Sequence, residues 1–238
     1  MAKKSRNKDF SIDETLVKVV KKTKQLGIYN YKKNRELVWI VGFMILLLVA
    51  LFATSSIVKS FNHFNYKTLS FTKEKFGEIS VYHYYYYFSK NGKQYQHNLY
   101  LRLDPRKNNI PISGETEFYE DTKVFIGING TGLTGCGNAS RDIGSLSSFF
   151  VNNLITIKAG TLNKWETNGT NMSYVDCSLY PNNPVIRLFA GNETKIYREE
   201  KSNCYNIEIS NCNTLAAIEK FEVQSVLDAK TRAKASQA

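Results

Sequence analysis

Residues Leu37 to Val58 read LVWIVGFMILLLVALFATSSIV, 22 positions without a charge or a proline. At ~1.5 Å rise per residue a helix of that length covers about 33 Å, against the roughly 30 Å hydrocarbon core of a bilayer. The stretch reads as one transmembrane helix and divides the chain: a basic cytoplasmic tail at 1–36, the span at 37–58, a stalk at 59–70, a disulfide-bonded ectodomain at 71–230 and a disordered tail at 231–238. The fold class that follows is α+β, an N-terminal transmembrane helix and then a β-rich ectodomain with one or two helices. One domain with its own core suits the length of that second part.

Small residues such as Ala53 and Ser55 near the end of the run raise a cleaved signal sequence as an alternative. A secretory apolar region is ~7 to 15 residues behind a short leader. Here the run is longer and 36 residues precede it, which favours an uncleaved signal anchor. Those 36 residues carry eleven basic and four acidic groups, net +7, leaving +4 of the formal +11 for the rest. Lys32, Lys33 and Arg35 abut the span, so the positive-inside rule places the N-terminus in the cytoplasm and the C-terminal domain outside. A domain at +4 lacks the electrostatic footprint of a nucleic-acid binder.

All four cysteines (Cys136, Cys177, Cys204, Cys212) and all five N-x-Ser/Thr sequons (Asn129, Asn138, Asn168, Asn171, Asn192) fall after the span. That asymmetry suits disulfides and glycosylation in an oxidising compartment. Within the tail, Ser11 and Glu14 form a capping box ahead of Ile12, Leu16, Val19 and Val20, with Gly27 as a stop. The amphipathic helix so defined carries Lys18, Lys21, Lys22 and Lys24 on its other side, the pattern of a helix lying on anionic lipid. A solvated basic tail is the plainer reading.

Beyond the stalk, Glu78–Ser89 and Gln94–Asp104 are aromatic and β-branched runs joined through Asn91-Gly92, the pair preferred by a two-residue type I′ turn. That turn fixes a register in which paired residue numbers sum to 183. One face then holds Tyr82, Tyr84, Tyr86, Phe88, Tyr95, His97, Leu99 and Leu101, the candidate core face. The other holds Val81, His83, Tyr85, Tyr87, Gln96, Asn98, Tyr100 and Arg102. Asp104-Pro105 ends the hairpin because proline has no donor for the ladder. A further strand pair is expected at 115–119 and 123–129, a helix at 141–153, and strands at 154–159, 174–179, 185–190, 194–198 and 205–209. The stretch 214–230 is ambiguous: Phe221, Val223 and Leu227 allow a strand, but its Ala, Glu and Lys content favours a helix.

Few motifs carry chemistry. Gly130 to Gly135 reads G-T-G-L-T-G, a literal G-x-G-x-x-G, but no acidic residue follows at ~20 positions, a sequon begins at its mouth and Cys136 follows it. A turn accounts for it, and no cofactor is expected. There is no C-x-x-C pair, His83 and His97 fall on opposite hairpin faces, and Glu199-Glu200 reads as solvated surface, so neither a metal site nor catalytic residues are assigned. For the disulfides, an extended 205–209 would hold Cys204 and Cys212 about 26 Å apart, too far to bridge. Two cross-links between the halves remain. Cys136–Cys212 with Cys177–Cys204 is favoured, because Cys136 and Cys212 each precede a helical stretch, over Cys136–Cys204 with Cys177–Cys212.

The string L-Y-L-R-L-D-P-R at Leu99–Arg106 with Ile110-Pro111, G-C-G at Gly135–Gly137, N-E-T-K-I at Asn192–Ile196 and N-C-Y at Asn203–Tyr205 resemble a group of uncharacterised single-span membrane proteins of small-genome archaea. The resemblance covers 71 to the end; it implies an archaeal surface protein with an α+β ectodomain and no activity. The function expected is therefore a single-pass, extracytoplasmic domain with a non-enzymatic binding or assembly role in the cell envelope, its partner a protein or a glycan. The alternatives are an extracytoplasmic enzyme acting on a surface polymer, and a pilin-like filament subunit, whose usual Gly before the apolar helix and Glu five residues into it are absent.

Overall fold

The computed structural model describes residues 35–54, 62–118, 122–200 and 202–236, in two compact units, 1–61 and 62–238. In the first, helix α1 (Arg35–Thr54) is long and apolar enough to cross a membrane, with none of its apolar stretch buried by the chain. The end of the expected span, 55–58, and the expected amphipathic helix of the tail lie outside the described residues.

In the second unit, β1 (His63–Tyr66), β2 (Leu69–Phe76), β3 (Ile79–Lys90) and β4 (Lys93–Leu101) form an antiparallel meander. The turn expected between β3 and β4 is present: Asn91 and Gly92 both have positive φ, 52° and 72°, as a type I′ turn demands. Pairs from Tyr82↔Leu101 to Lys90↔Lys93 follow the sum of 183. Leu99, Leu101 and His97 are buried, whereas Tyr85 and Tyr87 on the opposite face are 54% and 56% exposed. Tyr84 and Tyr86 are only partly covered.

The remaining strands are β5 (Ile112–Ser113), β6 (Lys123–Ile128), β7 (Thr156–Thr161), β8 (Ser173–Tyr174), β9 (Val185–Ala190), β10 (Lys195–Arg198) and β11 (Cys204–Ile209). They make a second sheet in the order β5-β10-β11-β9-β6-β7-β8. From β11 through β8 all neighbours are parallel, and β10 runs antiparallel to β11. The helices are α2 (Gly130–Leu133), α3 (Ala139–Asn152) and α4 (Thr214–Ala235). Side chains of α3 and α4 share one core with both sheets: Leu69, Phe71 and Leu99 from the meander, Ile126, Leu188 and Ile207 from the parallel sheet. The chain is α+β, as its sequence indicates.

Several local expectations are corrected. Residues 115–118 form no strand, and β6 pairs with β7 and β9 in parallel. The reason is that Val124, Phe125 and Ile126 are buried in succession, so both faces of β6 need cover, which a central parallel strand has and a hairpin strand lacks. Of the expected strand at 174–179 only Tyr174 is extended, as the end of β8; Asp176 then accepts from the Ser178 amide and starts a 3₁₀ turn at Cys177–Leu179. The supposed stalk at 59–70 holds β1 and the start of β2, because Phe64 stacks on the buried Phe71. The supposed disordered tail at 231–238 continues α4 as far as Ala235, held by the Arg232 guanidinium donating to the Thr116 carbonyl at 2.7 Å. The ambiguous segment 214–230 is helix.

The disulfides are Cys136–Cys212 and Cys177–Cys204. Cys204 opens β11 and Cys212 lies just beyond its end, so the two bonds fasten opposite ends of one buried strand.

The two faces of the meander set a stability contrast. Phe71 is fully buried, and Phe71→Ala is expected to lower the unfolding free energy by about 3 to 5 kcal/mol. Tyr85→Ala, on the exposed face, should stay within ~0.5 kcal/mol. Chemical denaturation of the two variants checks this, and equal losses would place the meander's core on the wrong side.

Candidate binding groove

Strand alternation sends Tyr84, Tyr86 and Phe88 of β3 to the same side, toward the C-terminal half of α4. There α4 offers Ser225, Ala229 and Ala233, side chains too small to fill the space opposite large rings. The result is a half-open groove of about 560 Å³, closed at its end by Phe118, Phe149 and Ile155. This volume lies within the ~300–1,000 Å³ range of ligand sites, and aromatic walls with a few placed polar groups are their usual make-up. Tyr84 and Tyr86 are partly covered rather than buried because they line it.

The polar groups stand at the edges. The Tyr86 hydroxyl donates to Asn153 Oδ1 at 2.7 Å, and burial raises its pKa far above the ordinary phenol value, so it stays a neutral donor. Lys90 Nζ donates to the Leu154 carbonyl at 2.7 Å. Lys230 Nζ donates to the Thr68 carbonyl at 2.7 Å and stands 5.9 Å from the Tyr84 ring centroid. Arg232, whose guanidinium donates to the Thr116 carbonyl at 2.7 Å, also lines the groove. Among the described residues, neither Lys230 nor Arg232 has a carboxylate within ion-pair distance. The described lining is aromatic and apolar, with its polar groups supplied by Tyr86, Ser89, Lys90, Asn153, Ser225, Lys230 and Arg232.

Toward the start of α4, before the groove, Glu219 and Glu222 are buried, as is Asp142 of α3. Glu219 accepts from the Arg102 and Leu103 amides at 2.6 and 2.9 Å, capping the chain as it leaves β4. Asp142 accepts from the Arg102 guanidinium at 3.0 Å. Glu222 is 4% exposed and its Oε1 has no partner among the described residues. Burial, and then the nearby Glu219, push its pKa up to about 8; burial pushes Glu219 up to about 7. At neutral pH Glu222 is a carboxylic acid, because leaving it ionised without a partner costs more than holding the proton.

The glycine-rich loop is occupied by the chain itself. Asn129 Oδ1 accepts from the Gly132 amide at 3.0 Å, and the Glu166 carboxylate accepts from the Thr131 hydroxyl at 2.5 Å, from Asn163 Nδ2 at 2.9 Å and from the Thr161 hydroxyl. These hydrogen bonds hold the Glu166 pKa down at about 2. A carboxylate thus sits where a bound phosphate would draw on the same donors. Asp104 chelates Arg106 (Oδ2–Nη2 2.7 Å) at the hairpin end, and Arg106 lies 3.8 Å over the Phe64 ring, so the pair braces a turn. His83 stacks on Tyr100 at 4.4 Å and contacts Glu74 at 2.8 Å on the outer face, away from the buried His97. Among the described residues the one grouping of metal-ligand type is Cys177, Glu199 and Cys204, and its two sulfurs are consumed in a disulfide. Asn138, Asn168, Asn171 and Asn192 are exposed; Asn129 is half-buried.

The register read from Asn91-Gly92 put Tyr84, Tyr86 and Phe88 together. Phe118, Phe149, Lys230 and Arg232 join them through tertiary packing that no local motif announces. No family model matches the chain, and neither a curated protein nor a solved structure is similar to it.

Glu222 gives a pH test. With a folded pKa above its unfolded value of ~4.3, the folded state binds the extra proton, so stability is full below that value and falls as pH rises through about 8. Glu219 adds to the fall up to about 7. Denaturation midpoints measured from about pH 5 to 9 should decline, and Glu222→Gln should remove about half of the decline. A variant with the parent's full pH slope would show that Glu222 is ionised throughout.

Proposed function

We propose that this protein is a single-pass, membrane-anchored, extracytoplasmic domain that binds an envelope partner without chemistry, and that its groove takes an apolar, acidic segment of a partner protein. The observation that carries the reading is the groove itself: aromatic walls opposite small helix residues, with Lys230 and Arg232 in its lining. An apolar side chain entering it gains ~25 cal/mol per Å² of apolar surface removed from water. The two cations select a partner of opposite charge and speed its encounter. Anchoring is supported by α1, and an oxidising compartment by the two disulfides, since such bonds persist outside the cytosol. Lys32, Lys33 and Arg35 support the orientation with the N-terminus inside. Anionic lipid remains the proposed contact of the basic tail.

A second reading, a glycan partner, is favoured by the outer face of the meander. Tyr85, Tyr87 and Tyr100 are each at least 50% exposed there, interleaved with Gln96 and Asn98. Rings of this kind stack on sugars, and the amides between them can bond hydroxyls.

Two measurements test the proposal on the full chain. Protease added to intact cells should digest the domain and spare the tail; a protected domain would refute the location. For the groove, the apolar anionic dye anilinonaphthalene sulfonate should bind the detergent-solubilised protein. Lys230→Glu with Arg232→Glu should weaken that binding about tenfold, equivalent to ~1.4 kcal/mol, and Tyr85→Ala should not. Unchanged dye affinity in the double variant, or loss only in Tyr85→Ala, would move the binding surface to the outer face.

A further inference from the structure

The five strands from β11 to β8 are parallel, so their carboxyl ends share one edge of the sheet. The loops leaving that edge follow β6, β7, β9 and β11. From Asn62 onward the sequence has twenty asparagines, of which eight (Asn129, Asn138, Asn163, Asn168, Asn171, Asn192, Asn211, Asn213) lie in these loops. All five sequons are among those eight, and none of the other twelve asparagines (20 − 8) begins one. The sequons are far apart in sequence, from 129 to 192; the topology of the sheet collects them.

The opposite end of the domain holds the groove. Helix α3 starts at the carboxyl edge, with Asn138 at its N-cap, and its other end supplies Phe149 and leads to Asn153 of the groove lining. Its 14 residues span ~21 Å at ~1.5 Å each. Helix α4 likewise begins just past Cys212 at the carboxyl edge and brings Ala229 to Ala233 to the groove.

The five sites are not equivalent. Asn138, Asn168, Asn171 and Asn192 are exposed, and residues 168–172 form an exposed loop that turns at Gly169 with φ of 76°. Asn129 is enclosed. Its Oδ1 accepts from both the Gly132 amide and Asn163 Nδ2, at 3.0 and 3.1 Å. Its Nδ2, the atom a glycan would be joined to, lies beside Gly132, where an added Cβ would meet Nδ2 at 3.1 Å and the Ala190 Cβ at 3.3 Å. The hydroxyl of its sequon threonine, Thr131, is committed to Glu166.

We infer that the domain carries N-linked glycans on the carboxyl edge of its parallel sheet, at two or more of Asn138, Asn168, Asn171 and Asn192 and not at Asn129, so that one end is sugar-coated and the groove end is bare. The inference rests on the extracytoplasmic location proposed above. The donor is a glycan activated through a phosphate-linked lipid, and a separate membrane transferase performs the step. The side-chain Nδ2 attacks C1 of the first sugar, the C1–N bond forms as the C1–O bond to the lipid phosphate breaks, the phosphate leaves with the electron pair, and the amide nitrogen loses one proton. The product amide keeps its carbonyl as an acceptor, and an exposed loop bears the added bulk without displacing core side chains.

The test is peptide mass mapping of the full chain purified from its native membranes, before and after chemical deglycosylation. The result expected is a sugar-sized mass increase on peptides bearing at least two of the four exposed asparagines, and an unmodified Asn129 peptide. Glycan at Asn129, or at fewer than two of the other four, overturns the inference. Intact-cell proteolysis of the same preparation separates the causes. Unmodified asparagines in a protease-accessible domain overturn the inference alone, and a protease-protected domain overturns it together with the location.

Discussion

Helix α4 is held between two sheets, and most features of the domain descend from that position. Toward the parallel sheet it presents Phe221, whose ring meets Tyr205 edge-on at 6.1 Å. Toward the meander it sends Lys220 to the Tyr66 hydroxyl and Lys230 to the Thr68 carbonyl. A helix covered on both sides cannot keep a polar stripe in water, so its glutamates are buried and must be capped, as Glu219 is by two backbone amides, or neutralised, as Glu222 is by its proton. Where its side chains shrink to Ala229 and Ala233, the sheet and helix separate and the groove opens. The groove is therefore a consequence of how the core ends.

What could be read from the sequence depended on whether local chemistry decided the structure. The Asn91-Gly92 pair dictates a turn, the turn dictates a register, and the alternation of β3 and β4 follows without reference to the rest of the chain. The disulfide pairing was narrowed by strand length alone, since an extended 205–209 excludes a local bridge. Strand pairing in the parallel sheet had no such signal. Lys123 to Ile128 is a short apolar run equally consistent with a hairpin strand and a buried parallel one, and only the burial of both Phe125 and Ile126 settles it. Helix α4 was obscure because double burial removes the apolar and polar alternation from which a helix is normally recognised. Of the groove, the row Tyr84, Tyr86, Phe88 was legible; its cations were not, because Lys230 and Arg232 reach it only when α4 crosses the open end of the hairpin.

The disulfides act on the same architecture from the other sheet. Strand β11 is buried along its length and pairs with β9 on one side and β10 on the other. Cys177–Cys204 fixes its start to the segment after β8, and Cys136–Cys212 fixes its end to the loop between α2 and α3. Loop-closure entropy removed from the unfolded chain grows with the enclosed length, so the bond spanning 76 positions restrains it more than the bond spanning 27. The shorter loop lies within the longer, and their effects are not independent.

Fastening both ends of β11 also separates the two ends of the domain in what they can do. At the carboxyl edge, Cys136–Cys212 holds the start of α3 and α4 against the sheet, and the Glu166 carboxylate ties the β6 and β7 loops together through Thr131 and Thr161. At that edge the Thr131 and Thr161 hydroxyls and the Gly132 amide are spent on the chain's own side chains, and Asn138, Asn168, Asn171 and Asn192 are exposed. At the other end α3 and α4 finish without a cross-link, the hairpin projects beyond the end of its pairing with β2 at His83, and Lys230 stands 5.9 Å from the Tyr84 ring centroid. Binding capacity in a folded domain resides where packing and charge are left incomplete, and here that condition is met at the groove end.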